Sequence, residues 1–426
     1  MTRERVPSAL ERAFYGANVT VHQPENARAL GDLLALARRE KLSVVPAGNG
    51  AHAGVTDPPL GGALVVSSHR IDRTAAYEPD DFTIGVEAGM TCRDLRATLR
   101  EHGQEVGLDF ARISDGTVGG FVSLAPWGPR QGYLGPPAAH VIGVEGMSGY
   151  GATFRSGGMV VKNVAGYALD KFLVGALGRA GFLLRVNFKL RPLPARRVLR
   201  LVGFDDPAAA WSLCRNLRKR RLEPSALCVV GGAVREDPRW SSLPLPSGAF
   251  VVAATFEGRE PVVAWQEHEC GLLVGSGDAS PVLGSDEAER FLDLATTFLD
   301  PDVRHLDTHA AVRASVLPSR LGKLSARVHD WFADRAEWRA AFCADANTGM
   351  FLGRWDGPVE AIDAPVSVLR DAAQTYEGFS RVVFLPPSVR RSWAHGLDPD
   401  PNATLAKRVL GAFDPDALFV RLGAAE

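Results

Sequence analysis

The chain has 426 residues, which is long enough for two or three domains, and 46% of them are hydrophobic, which is ample for packed cores. Its 48 basic and 49 acidic residues leave a net charge of -1, so nucleic acid or an anionic membrane is not expected as the main partner. The five cysteines are scattered and never spaced as C-x-x-C, which argues against an iron–sulfur or zinc site in this chain and fits a reducing cytosol.

The first residues and the hydropathy predict neither secretion nor a membrane span. Charges at Arg3, Glu4 and Arg5 are not followed by an apolar segment of the kind found in secretory signals. No uninterrupted apolar segment approaches the ~18 residues that a spanning helix needs. We therefore expect a cytoplasmic protein whose ligand is a small molecule or another protein, and any membrane association would be made through partners.

The first part of the chain is predicted to open as β-α-β. A short strand at 19–24 precedes a helix in which leucines and an alanine recur at i, i+3, i+4 and i+7, and a strand at 42–46 follows. The further elements predicted up to residue 190 are a strand at 82–86, a helix capped by Thr91 and Asp94, two strands joined by a glycine-rich turn within 141–155, a helix near 168–178 and a strand at 184–190.

Prolines and arginines at 191–197 mark the first predicted domain boundary. Strands are predicted beyond it at 198–203, 225–231, 248–255, 303–316, 349–355 and 380–384, with helices at 207–219, 285–299 and 365–374. This order favours an antiparallel sheet with helices packed on one face. The last segment, which contains a helix near 402–412, is expected to return to the first domain.

Four glycine-bearing segments in the first domain indicate a long phosphorylated ligand. The first, PAGNGAHAG at 46–54, follows a strand, but its G-x-G-x-x-x-G spacing and the prolines after it do not match the dinucleotide fingerprint of a Rossmann fold. The others are SDGTVGG (114–120), KNVAGYAL (162–169) and GALGRAG (175–181). An ordinary glycine-rich turn remains an alternative for the first segment alone. Backbone N–H groups from several such loops could bind different parts of one FAD.

These motifs resemble those of a known family. Five segments are similar to those of the vanillyl-alcohol oxidase / p-cresol methylhydroxylase (PCMH-type) flavoproteins, and most of all to the FAD-binding E subunits of glycolate oxidases. They are PAGNGAHAG, EAGMTCRDL, GTVGG, VVKNVAGYALDKFLVGALGRAG and, near the end of the chain, AFDPDALF. The resemblance is dense over 40–195, thin in the middle, and visible again over 383–419.

The resemblance implies an α+β protein with a two-subdomain PCMH-type FAD-binding domain and an α+β cap domain built on an antiparallel sheet. The implied limits are 1–195 for the FAD domain, 196–385 for the cap over the flavin, and 386–426 for a return to the FAD domain. The residues implied to contact FAD are Pro46, Ala47, Gly48, Asn49, Gly50, Ala51, His52, Thr117, Val118, Gly119, Gly120, Lys162, Asn163, Gly166, Tyr167, Gly178, Gly181 and Phe182.

The implied activity is that of the FAD-binding subunit of a 2-hydroxy-acid (glycolate-like) dehydrogenase or oxidase complex. Hydride would pass from substrate to FAD, and electrons would pass on to an iron–sulfur subunit alongside a second flavoprotein subunit. Several polar positions of the family are replaced here, for example by Ala51 and Ala125, while the glycines remain. A non-catalytic scaffold with the flavin fold is therefore an alternative, and a stand-alone oxidase is a third.

His52 raises the question of a covalent flavin. In relatives with an 8α-histidyl bond the histidine aligns with Ala51, one residue earlier, so His52 is expected to be a loop histidine near the pyrophosphate or in solvent.

The segment VRHLDTHAAVRASV in the cap contains the candidate catalytic residues. On a strand, His305, Asp307, His309, Arg313 and Ser315 would share one face. His305 or His309 could act as general base and Arg313 could bind a carboxylate in a bidentate manner, while His-x-Asp-x-His could also bind a metal. A solvated face of an amphipathic strand is the alternative.

A run of basic residues crowds the end of the predicted helix at 207–219. It consists of Arg215, Arg218, Lys219, Arg220 and Arg221. Such runs are commonly solvated and favour the helix C-terminus electrostatically. A docking patch for an acidic partner is the alternative.

Overall fold

A computed structural model describes residues 19–50, 63–110, 116–160, 168–300, 308–390 and 403–419. The chain divides into two compact units. Unit 1 is formed from Met1–Pro126, Gly135–Leu193 and Pro399–Glu426, and unit 2 from Trp127–Leu134 and Pro194–Asp398. This division differs from the sequence-based limits in three places. The first boundary lies at 193/194 and not at 195/196, the short segment 127–134 groups with unit 2, and the return to unit 1 begins at 399 and not at 386.

Unit 1 contains two main sheets. The first is parallel, with the order β1 (Val19–His22), β3 (Ala63–Ser67), β2 (Ser43–Ala47). The second is antiparallel, with the order β4 (Thr74–Glu78), β5 (Thr83–Glu87), β9 (Phe182–Lys189), β7 (Val141–Met147), β8 (Thr153–Gly157). A short ribbon pairs β6 (Gln104–Glu105) with β10 (Arg191–Pro192). The predicted β-α-β opening and the strand pair within 141–155 are confirmed.

The helices of unit 1 are α1 (Ala27–Glu40), α2 (Cys92–Arg100), α3 (Val118–Leu124), α5 (Leu169–Leu173) and α12 (Ala403–Phe413), while α4 (Gln131–Leu134) belongs to unit 2. Helix α2 begins where its predicted capping residue, Thr91, places it. Thr91 caps α2 by accepting a hydrogen bond from the backbone N–H of Asp94 at 3.0 Å. Leu30, Leu34 and Ala37 form the buried face of α1.

Helix α5 is shorter than predicted. The sequence favours a helix near 168–178, but it ends at Leu173. Gly175 and Leu177 adopt φ angles of 81° and 56°, which lie in the left-handed region and cannot continue a right-handed helix. The backbone there instead bonds to α3, since Gly175 N donates to Val122 O and Leu177 N to Ser123 O.

Unit 2 is organised around one eight-stranded antiparallel sheet. Its order is β14 (Asp278–Ala279), β11 (Arg196–Phe204), β13 (Phe250–Gly258), β12 (Ala226–Gly232), β16 (Arg339–Asp345), β17 (Met350–Asp356), β15 (His309–Ser315), β18 (Phe379–Phe384). The predicted antiparallel sheet is confirmed. Residues 303–307 of the strand predicted at 303–316 lie outside the described residues.

Helices cover both faces of this sheet, so the prediction that they pack on one face was wrong. On one face lie α6 (Pro207–Lys219), α7 (Glu260–Leu272), α9 (Leu321–Ala333) and α10 (Asp363–Thr375). On the other lies α8 (Ser285–Thr296), with Phe291 and Leu292 in a separate core that also includes Trp240. The short α11 (Pro387–Arg390) follows β18. Among the helices described, none has the length and apolar character needed to cross a bilayer.

A buried ion network connects segment 127–134 to the sheet of unit 2. The carboxylate of Glu257 accepts hydrogen bonds from Arg130 at 3.2 Å and from Arg197 at 2.9 Å. All three side chains are at most 7% exposed. The Trp127 side chain packs in the same core as Trp240. Residues 127–130 are therefore part of the interior of unit 2, while Gly132 and Tyr133 later in the segment are exposed.

Candidate functional site

The first glycine loop follows strand β2 of unit 1. Pro46 and Ala47 end β2, and residues 48–50 begin the loop, while Ala51 and His52 lie outside the described residues. The Ser67 hydroxyl donates to Gly48 O at 2.8 Å, and Ser68 N donates to Ala47 O at 2.9 Å. The loop is therefore held against the end of the neighbouring strand β3.

The second glycine segment forms the beginning of helix α3. Thr117 caps this helix by accepting from Gly120 N at 3.2 Å. Gly119 N donates to Ala88 O at 2.8 Å, and a Cβ at Gly119 would lie 2.8 Å from the Ala88 Cβ. Only glycine therefore allows the helix to begin so close to the end of β5. The side chain of Val118 is fully buried, which leaves its backbone as the part available to a ligand.

Three of the four glycine segments meet beside the end of β2. A Cβ at Gly48 would lie 2.1 Å from Thr117 Oγ1, so the two loops are in direct contact. Gly178, at a φ of 75°, would place a Cβ 3.2 Å from Pro46 Cγ. The structure thus brings the segments at 46–50, 117–120 and 178–182 together. The fourth, with Lys162, Asn163, Gly166 and Tyr167, lies outside the described residues.

The third segment leads directly into strand β9. Gly181 adopts a φ of 130°, and a Cβ there would lie 2.8 Å from Met147 O. The side chain of Phe182 is 2% exposed and packs in the core of unit 1 with Leu30 and Met147. Gly178 and Gly181 therefore shape the backbone, and Phe182 has only its backbone to offer a cofactor.

Two buried polar atoms beside the first loop have no hydrogen-bond partner within the part of the chain that is described. They are Asn49 Oδ1 and His69 Nδ1. His69 follows β3, and its backbone N–H donates to the Ser67 hydroxyl that binds Gly48. Buried polar atoms of this kind are expected to be satisfied by a ligand or by water. Together with the glycine contacts, they fit a cofactor that carries both donors and acceptors, as FAD does. His69 escaped the sequence analysis because no motif marks it.

The second candidate region lies on strand β15 of unit 2. Ala310, Val312 and Ala314 pack in the core beneath the helices, so His309, Arg313 and Ser315 project to the opposite face. This alternation agrees with the sequence-based expectation for the described residues. His305 and Asp307 lie outside them. No group of three or more metal-binding side chains is found within the described ranges.

Arg313 has a second arginine as its neighbour. Arg381 on β18 lies directly opposite Arg313 in the strand register. Burial, and then the charge of Arg381, lower the pKa of the Arg313 guanidinium to about 10, and burial also lowers the pKa of Arg381. Arg313 Nε is buried without a hydrogen-bond partner. Neither guanidinium forms an ion pair with any described carboxylate. Two partly buried like charges are costly unless an anion binds between them.

His309 is deeply buried and paired. Its ring is 3% exposed, and Nδ1 lies 3.0 Å from Asp356 Oδ1 on the neighbouring strand β17. In the neutral ring with its proton on Nδ1, Nδ1 donates to this carboxylate and Nε2 is the acceptor. Nε2 is buried and, within the described part of the chain, has no partner. The arrangement is chemically that of an oriented base.

Comparisons with known proteins agree with the first region. Residues 20–167 match a family described as an FAD binding domain. The glycolate oxidase subunit GlcE of Escherichia coli (strain K12) is 29% identical over 236 residues, which are 54% of this chain and 64% of that protein. The glycolate oxidase subunit GlcD of Bacillus subtilis (strain 168) is 25% identical over 48% of this chain and 43% of its own length. The chain thus matches less than two thirds of either relative.

A longer match and two solved structures extend the comparison. The D-2-hydroxyglutarate dehydrogenase of Xanthomonas citri pv. viticola is 25% identical over 90% of this chain and 84% of its own length. A xylooligosaccharide oxidase from Myceliophthora thermophila C1 superposes with a TM-score of 0.73 at 15% identity, over 100% of this chain and 96% of its own. An alkyldihydroxyacetonephosphate synthase gives 0.68 at 16% identity over 95% and 76%. The structures show a shared fold, and the PCMH-type resemblance is confirmed.

Proposed function

This chain carries an FAD-binding domain of the oxidoreductase type, and on that premise we propose that it oxidises a 2-hydroxy acid as one subunit of a complex. When bound, FAD accepts the hydride that leaves the α-carbon and passes the electrons to a partner. The observation that carries the proposal is the pair of guanidinium groups at Arg313 and Arg381, which have no carboxylate partner among the described residues.

The glycine segments are proposed to hold FAD mainly through their backbone. Backbone N–H groups of these segments would donate hydrogen bonds to the cofactor, as consecutive glycine-rich turns do to phosphates. The segments are 46–52, 117–120, 162–167 and 178–182. The contacts of Gly48 with Thr117 and of Gly178 with Pro46 support this, because side chains at either glycine would fill the space between the loops. Asn49 and His69 would complete the site with their unsatisfied polar atoms.

Arg313 is proposed to bind the substrate carboxylate. A guanidinium binds a carboxylate through two parallel charge-assisted hydrogen bonds, and a second guanidinium beside it strengthens the attraction. A bound carboxylate would compensate the burial and the repulsion by Arg381 that together lower the pKa of Arg313. Arg381 is therefore added to the residues that the sequence analysis proposed.

His309 is proposed to take the hydroxyl proton. Its Nε2 is the free acceptor, and Asp356 would stabilise the imidazolium that forms. His305 remains a second candidate for this role. The α-hydrogen leaves as hydride, the hydroxyl proton moves to the histidine, and the product is a 2-oxo acid.

The electrons are proposed to leave through a partner. All five cysteines are buried and unpaired, so they offer no ligand set for an iron–sulfur cluster. The relatives named as glycolate oxidase subunits support a multi-subunit assembly. We propose that its other members include an iron–sulfur subunit and a second flavoprotein subunit. A cytoplasmic location is part of the same proposal.

The test compares a substrate with an analogue that lacks only its charge. We expect the purified chain to be yellow and its flavin to be bleached anaerobically by lactate or glycolate, but not by the corresponding 2-hydroxy amide. Protein that is colourless and takes up no FAD would refute the flavin site. If the flavin binds but no 2-hydroxy acid reduces it, even with partner subunits present, the result would favour a non-catalytic scaffold. Equal bleaching by acid and amide would exclude the arginine pair as the carboxylate site.

A further inference from the structure

Helix α7 of unit 2 carries apolar side chains on both sides. Its inner side buries Val263 and Cys270 in the core beneath the sheet. Its outer side leaves Val262, Trp265 and Leu272 exposed by 45%, 52% and 64%. Clustered exposed apolar side chains, and exposed tryptophan in particular, are characteristic of interaction surfaces. The outer side of α7 therefore lacks a covering layer.

The negative charges of α7 are compensated by arginines that lie outside the helix. The helix contains three glutamates, and each forms an ion pair with an arginine of a neighbouring element. The pairs are Glu260 with Arg196 at 2.6 Å, Glu267 with Arg200, and Glu269 with Arg220 at 2.9 Å. No other carboxylate occurs in α7, so its exposed side, where His268 lies between Trp265 and Leu272, carries no uncompensated negative charge.

The pair between Arg220 and Glu269 joins this apolar side to the end of helix α6. There lie four exposed cations, here called the basic cluster, namely Arg215, Arg218, Lys219 and Arg221. None of the four pairs with a carboxylate within the described ranges. The whole chain has a net charge of -1, so this local excess of positive charge does not reflect a basic protein.

We propose that the outer side of α7 and the basic cluster form one docking surface for an acidic, amphipathic segment of another protein. Apolar side chains of the partner cover Val262, Trp265 and Leu272, and its flanking carboxylates meet the basic cluster. A second copy of this chain is disfavoured, because a two-fold interface would bring the basic cluster against itself. The proposal adds a partner surface to the proposed function and depends on neither flavin nor substrate.

The experiment uses the full chain and two synthetic helical peptides that differ only in charge. Both carry leucines at i, i+3, i+4 and i+7, and the remaining exposed positions are glutamate in one and lysine in the other. Fluorescence anisotropy should show saturable binding of the glutamate peptide alone, weakened by salt. Trp265→Ser with Leu272→Ser should weaken binding by about 30-fold, as loss of an interface hot spot does.

Charge reversal tests the second half of the surface. Arg218→Glu with Arg221→Glu should also weaken binding by at least about tenfold, since like charges would then face each other. The matched control is Arg28→Glu with Arg93→Glu, which makes the same charge change at two exposed positions of unit 1. Both lie in first helical turns, where glutamate is well tolerated. This control should bind like the unaltered chain.

Four results would overturn the proposal. Equal binding of both peptides would show that the surface binds apolar helices without regard to their charge. Failure of the glutamate peptide to bind would show that the surface does not recognise an acidic partner. A dimer in sedimentation equilibrium that Trp265→Ser dissociates would assign the surface to a second copy. The surface would be assigned to a membrane if the chain binds vesicles of phosphatidylcholine with phosphatidylserine but does not bind the glutamate peptide. The Trp265→Ser/Leu272→Ser and Arg218→Glu/Arg221→Glu variants should then lose the vesicle binding.

Discussion

Arg313 and Arg381 lie opposite each other on neighbouring strands, and no described carboxylate compensates either charge. Burying two neighbouring cations costs folding free energy, so their presence is best explained by an anion that binds them. Replacement of Arg313 should therefore separate function from stability.

We expect Arg313→Met to lower kcat/KM for a 2-hydroxy acid by about 100-fold, which corresponds to roughly 3 kcal/mol. The melting temperature should stay the same or rise, because one of two repelling charges is gone. Steady-state flavin reduction and thermal unfolding are the measurements, with Arg327→Met on the exposed surface of α9 as the control. An unchanged kcat/KM would refute the carboxylate-binding role.

Gly48 is expected to be intolerant of any side chain. Gly48→Ala would place a methyl group 2.1 Å from Thr117 Oγ1, so one of the two loops must move. We predict a lower flavin content per chain, measured from the ratio of visible to ultraviolet absorbance. Gly411→Ala is the control, because nothing lies within 4 Å of its added Cβ and alanine favours a helix. Full flavin content in Gly48→Ala would show that the contact between the loops is not needed to hold FAD.

Glu257 is expected to be essential for the stability of unit 2. Glu257→Gln removes the carboxylate that pairs with Arg130 and one of the two carboxylates that pair with Arg197, the other being Glu289, and both arginines are buried. Breaking a buried ion pair in this way costs about 3–5 kcal/mol. Urea unfolding followed by tryptophan fluorescence would measure the loss. Glu260→Gln, whose partner Arg196 is partly exposed, is the control and should cost less than about 1 kcal/mol.

Asp345 should make stability depend on pH in mildly acid solution. Burial raises the pKa of this carboxyl from 3.8 to about 6, although the Thr348 hydroxyl and the backbone N–H of Asn347 donate hydrogen bonds to it. The folded state then binds more protons than the unfolded state between pH 4 and 6, so stability falls as the pH rises through that window. The full effect is about 3 kcal/mol.

The matched variant for this prediction is Asp345→Asn, which cannot ionise. The free energy of unfolding should be measured in urea at intervals from pH 4 to pH 7 for both proteins. The difference between the two curves isolates Asp345 from the other titrating groups. A difference that does not change with pH would mean that the carboxyl titrates normally.

Local patterns predicted much of the fold, because they depend on neighbours in sequence. Two such patterns each involve residues only a few positions apart in one helix, so they can be recognised from the sequence. They are the apolar stripe of Leu30, Leu34 and Ala37, and the cap at Thr91. Helix α7 was missed because its apolar residues lie on both sides and show no helical stripe. The placing of α8 on the second face of the sheet also depends on packing that no local pattern contains.

The candidate site shows the same limit. Arg313 could be singled out from its own strand, and so could His309. Arg381 could not, because its position depends on the register between β15 and β18, which join distant parts of the chain. The contact of Gly48 with Thr117 is likewise a long-range one, although the glycine clusters themselves signalled that something must approach the backbone closely.

Neither unit of this protein is a continuous stretch of chain. In unit 2, Glu257 forms its buried ion pair with Arg130, which is synthesised much earlier. In unit 1, Val44 of strand β2 forms a bridge with Phe419, which is synthesised near the end of the chain. A nascent chain released early would lack part of both cores. Gene fragments divided at the 193/194 junction should therefore fold poorly, and transplanting residues 194–398 into another protein would require moving residues 127–134 with them.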